Sequence, residues 1–131
     1  MNLHSLQLNL LLAWLWILLG FVSGMVLGLF FHRENWLGGY ASFKRRMYRL
    51  GHISFFGLGV LNLMFCFTVQ HFMLTDSAIH FASLAFVVGA MTMPICCAIM
   101  ASFPKATMIF SVPVVSLITG GVLILREVIK L

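Results

Sequence analysis

Long apolar runs constrain this chain more than any other feature. The first, LNLLLAWLWILLGFVSGMVLGLFF from Leu8 to Phe31, contains no charged residue. At 1.5 Å per residue it covers about 36 Å, enough to cross the hydrocarbon core of a bilayer with some tilt. Three more runs follow at 53–74, 78–101 and 108–125. Lipid offers no water to an open strand edge, so each run is predicted to be a helix. Charged residues make up 8% of the 131 positions, where a soluble domain carries about a quarter. The first run is too long for the apolar part of a secretory signal and has no basic region before it, so it reads as a retained span.

The connections between the last three runs are brief, TDS and then SFPKAT, and short connections make consecutive helices antiparallel neighbours. Thr75, Asp76 and Ser77 are available to cap the third helix, and Pro104 stops it. The expected fold is therefore all-α and integral to the membrane. It is a four-transmembrane-helix antiparallel bundle forming one domain over residues 1–131.

The connection between the first two runs is different. Residues 32–52, HRENWLGGYASFKRRMYRLGH, hold Arg33, Lys44, Arg45, Arg46 and Arg49. Lys105 lies on the same side of the expected bundle, whereas Arg126 and Lys130 lie on the other. The positive-inside rule puts the basic loop in the cytoplasm and both termini on the outer, periplasmic side of a bacterial inner membrane. Tyr40, Phe43, Met47 and Leu50 share one helical face, with Arg45, Arg46 and Arg49 opposite. That pattern predicts an interfacial amphipathic helix between spans one and two, its bend supplied by Gly38 and Gly39, lying on anionic lipid. So few charges without a soluble module do not describe a nucleic-acid binder.

Packing signals are plentiful. Gly20, Gly24 and Gly28 repeat at four-residue intervals along span one, a pattern that lets a second helix approach closely. Span two offers a matching stripe of His52, Gly59, Asn62, Cys66 and Gln70. A homo-oligomer seam is the alternative use of the same glycines. Trp14, Trp16 and Trp36 read as anchors at the membrane interfaces.

Reactive chemistry is sparse. The only acids, Glu34, Asp76 and Glu127, fall outside the expected spans. An ion-coupled transporter needs a carboxylate within the membrane, and a voltage sensor needs arginines there. No paired-carboxylate site, phosphate loop or activated nucleophile is evident. Two ligand sets stand out. Histidines from neighbouring helices can hold a b-type haem, and the hairpins pair His71 with His80 and His32 with His52. In MTMPICCAIM, Met93, Cys96, Cys97 and Met100 place four soft sulfurs on one helical face, a donor set suited to Cu(I). Pro94 also leaves the Ala90 carbonyl without its helical donor. The cysteines lie in apolar runs and do not form a disulfide framework.

These features predict a non-catalytic accessory, anchoring or assembly subunit of a larger membrane complex, respiratory complexes included. Haem-mediated electron transfer and Cu(I) handling are the alternatives.

Overall fold

A computed structural model describes residues 3–131, with side chains from Leu6 onward. Four α-helices follow one another: α1 (Leu3–Phe30), α2 (Phe43–His71), α3 (Ser77–Ser102) and α4 (Ser111–Ile129). Short 3₁₀ turns at Trp36–Gly38 and Thr107–Phe110 precede α2 and α4. All four helices are long and apolar enough to cross a membrane, and no strand occurs among the described residues.

Each helix packs on its neighbour in sequence, and α1 touches α3 much less. Residue numbers rise along α1 as they fall along α2. Asn9 meets Asn62, Gly20 meets Phe56, and Gly24 meets His52. The stripe expected on span two is thus the one that faces span one. Gly59 is its closest point: a Cβ there would lie 2.9 Å from the Ala13 carbonyl oxygen. Only glycine lets the two backbones approach this far.

The apolar core occupies the half of the bundle away from the basic loop. Phe65, Cys66, Val69, Ile79, Ala82 and Phe86 join α2 to α3. Leu12, Trp16, Leu58 and Ala90 bring in α1. On the far side, Gly89 receives Leu117, Gly120 receives Phe86, and the Ser116 hydroxyl donates to the Ala85 carbonyl at 2.7 Å. These contacts seat α4 on α3.

Two expectations are corrected. Trp16 is not an interfacial anchor: it is 6% exposed, and its Nε1–H donates to the Ala90 carbonyl at 3.0 Å. This is the carbonyl that Pro94 deprives of a backbone donor. A buried carbonyl must be satisfied, and the indole supplies the missing hydrogen. Trp14, two positions away and 61% exposed, keeps the outward role. Trp16→Phe is expected to cost about 1 kcal/mol in reversible unfolding. In a Pro94→Ala background, where residue 94 bonds Ala90 itself, that cost should approach zero. Equal costs in both backgrounds would show that the indole does not serve this carbonyl.

The second correction concerns the basic loop. The amphipathic segment is not a separate interfacial helix; from Phe43 it is continuous with span two, as the first turns of a 29-residue helix. Nothing between Phe43 and His71 breaks it: the segment has no proline, and Gly51, Gly57 and Gly59 are never adjacent, each tolerated inside a helix at a cost of about 1 kcal/mol. Tyr40 precedes the helix. Ser42 caps it, accepting from the Arg45 N–H at 3.2 Å and donating to the Leu37 carbonyl at 2.7 Å. Gly38 and Gly39, at φ 86° and 95°, make the bend in a backbone conformation that side chains resist.

Nor does Arg45 share an exposed basic face with Arg46 and Arg49. It is 1% exposed, with its guanidinium 5.0–5.6 Å from the ring centres of Phe31, Trp36 and Tyr40. Its Nη2 donates to the Phe31 carbonyl at 2.9 Å, just past the end of α1. A cation at a helix C-terminus and over aromatic faces is favoured electrostatically. Arg45 therefore ties the end of α1 to the start of α2, while Lys44 and Arg46 remain exposed.

At the opposite end, Asp76 is the N-cap of α3, its Oδ1 accepting from the Ala78 N–H at 3.3 Å. That amide, then the Ser77 hydroxyl, holds its carboxyl below the usual aspartate value. Lys130 lies 3.7 Å from Asp76 and pairs with buried Glu127, drawing the end of α4 to the start of α3.

Candidate functional site

Most polar groups within the helices are consumed by the fold. Asn9 is the hub of a buried network: its Nδ2 donates to Asn62 Oδ1 at 2.8 Å, and its Oδ1 accepts from the Ser83 hydroxyl. Asn62 donates in turn to the Leu58 carbonyl at 2.8 Å. Asn9 and Asn62 are fully buried and Ser83 is 2% exposed. Polar groups buried this fully need hydrogen-bond partners, and these find them on other helices. Asn62 was legible as part of the stripe on span two that faces span one. Asn9 and Ser83 were not, because each is an isolated polar residue in an apolar run.

The sulfur face of α3 is divided among its neighbours. The Cys96 thiol donates to the Ile109 carbonyl at 3.4 Å, an oxygen to which Pro113 can offer no backbone N–H. Cys97, 1% exposed, faces α2 at Gly51. Met93 packs against the Trp16 cluster, and Met100 is buried. Cys96 and Cys97 thus face different elements. No group of three or more His, Cys, Asp or Glu side chains is placed to hold a metal among the described residues.

The histidines differ in their surroundings. His71 and His80 are both exposed, and each lies edge-on to the phenylalanine that follows it, Phe72 and Phe81. His32 is exposed in the segment after α1. His52 is partly buried and turned toward α1, where Ser23 Oγ lies 3.0 Å from its Nδ1. The structure therefore engages His52 with a serine. His4 lies outside the residues whose side chains are described.

His52 borders one of two adjoining openings into the helices. Asn9–Ser83 and Trp16–Ala90 are the hydrogen-bonded contacts between α1 and α3 among the described residues; from Trp16 toward the basic loop there is none, and a cleft of about 350 Å³ lies between the two helices on α2. Leu27, Phe55, Pro94 and Cys97 help to line it, and Ser23, Tyr48 and His52 carry polar groups among its lining residues. A second cleft of about 350 Å³ adjoins it, sharing Phe55, Pro94 and Ala98 and ending at Trp16. Volumes of this size, largely apolar with a few convergent polar atoms, suit a small lipophilic ligand.

The chain matches no protein-family model, no curated protein and no solved structure.

Proposed function

We propose that the chain is a four-span antiparallel bundle in a bacterial inner membrane, serving as a non-catalytic accessory or assembly subunit of a larger membrane complex. Both termini lie on the periplasmic side, and the arginine-rich start of α2 lies in the cytoplasm. The charge asymmetry supports this sidedness: the basic loop and Lys105 share one end, and the opposite end carries Arg126 and Lys130.

One observation carries the subunit role. The buried polar groups are spent on holding the helices together, while close-approach positions on the outside remain unused. Nothing lies within 4 Å of a Cβ added at Gly28, Gly57 or Gly121, so these positions are open to another helix. Between helices in lipid, such small-residue positions supply close van der Waals contact.

Gentle extraction from native membranes should yield a stable assembly larger than the chain, containing other membrane proteins. Gly57→Leu and Gly121→Leu are expected to leave the isolated bundle folded and to reduce its recovery in that assembly. A lone monomer at native expression, or full recovery of both variants in the assembly, would count against the role.

A further inference from the structure

His52 is the polar side chain of the cleft whose hydrogen-bonding capacity the fold leaves half used. Ser23 Oγ lies 3.1 Å from the Gly20 carbonyl oxygen and 3.0 Å from His52 Nδ1. A carbonyl only accepts, and a serine hydroxyl has one proton to give. Both contacts are hydrogen bonds in a single arrangement: Ser23 donates to Gly20, and His52 Nδ1–H donates to Ser23. The neutral imidazole then carries its lone pair on Nε2.

That lone pair has no protein donor among the described residues, and Nε2 is not sealed inside the protein. Gly24 helps to set the ring's place, since a Cβ there would lie 2.7 Å from His52 Cε1. The cleft thus presents a fixed acceptor on an otherwise largely apolar surface, with room running past Phe55 to Trp16. A bare acceptor at membrane depth is best met by a donor that can itself enter from lipid.

We infer that the cleft binds a lipophile whose polar end is a hydroxyl, such as an alkylphenol, a hydroquinone or a long-chain alcohol. The O–H donates to His52 Nε2, and the apolar body lies along Phe55 toward Trp16. A carbonyl-headed analogue, a quinone or ketone, brings a second lone pair to the same nitrogen and gains no bond from it. Ser23 is the positioning residue that fixes this preference, because it holds the proton on Nδ1.

The test uses the full chain, ¹⁵N-labelled at histidine, in bilayer discs at a pH where His52 is neutral. The probes are 4-octylphenol and its methyl ether, 4-octylanisole, which differ only in the donated proton. His52 Nε2 should give the ¹⁵N signal of an unprotonated nitrogen, and that signal should move on addition of the phenol but not of the ether. The phenol should bind about tenfold more tightly, the value of one well-placed hydrogen bond. Ser23→Ala should shrink the preference by releasing the tautomer, and His52→Phe should abolish it.

A proton found on Nε2 in the neutral, unliganded chain would overturn the inference, and that measurement needs no variant. Equal affinity for the two probes would do so too, as expected if bilayer acyl chains simply fill the cleft. A preference that survives His52→Phe would place the hydroxyl elsewhere.

Discussion

Gly59→Val is expected to force α1 and α2 apart and to destabilise the bundle by roughly 3 kcal/mol, the upper range for overpacking a filled interior. The first added carbon would already sit 2.9 Å from both the Ala13 carbonyl oxygen and Ile17 Cγ1, and 3.3 Å from the Ile17 backbone nitrogen. A side chain could rotate away from such a contact, but the backbone of α1 cannot. Gly59→Ala should show the same defect at smaller size. Gly57→Ala is the internal control: its Cβ meets nothing within 4 Å, so it should leave the bundle unharmed. Reversible unfolding in mixed micelles, followed by helicity and by an α1–α2 distance label, reads both variants. Equal stability of the Gly59→Ala and Gly57→Ala chains would mean that the two helices are not in backbone contact at this point.

Asn9→Leu should produce the second large loss, about 2 kcal/mol. Three hydrogen bonds depend on Asn9: to Asn62 Oδ1, to the Ser83 carbonyl at 3.4 Å, and from the Ser83 hydroxyl. Interhelical hydrogen bonds within a membrane average about 0.6 kcal/mol each, because polar groups in the unfolded chain also find partners there. The leucine additionally strands the Asn62 oxygen and the Ser83 hydroxyl in the core. Asn62→Leu breaks only one of the three and should cost less than Asn9→Leu. An additive Asn9→Leu, Asn62→Leu double variant would show that the two amides do not act as one network; a cost well below the sum is expected.

Parts of the site were legible before the structure, but as separate residues. His52 stood out as an imidazole beside a glycine-rich helix, and Cys97 as a sulfur ligand in span three. Ser23 carried no signal, since a serine within a helix ordinarily bonds its own backbone, as it does here with Gly20. The cleft itself has no local signature. It exists because α1 meets α3 at Asn9 and Trp16 and only weakly thereafter, and that depends on how three helices are set against one another.

Alone, the sequence determined that four stretches form helices apolar and long enough for lipid, though not that the second begins at Phe43. Those properties depend on hydrophobicity and hydrogen-bonding requirements within a window of some twenty residues. It also showed that Pro94 leaves a carbonyl in need of a donor. Only the tertiary structure decided that Trp16, 74 positions away, provides it, that Arg45 turns inward to close off α1, and that Asn9 joins Asn62. Each of these outcomes depends on rotation and depth of one helix against another. In helices apolar on nearly every face, periodicity does not specify that rotation; close-packed glycines and buried polar pairs do.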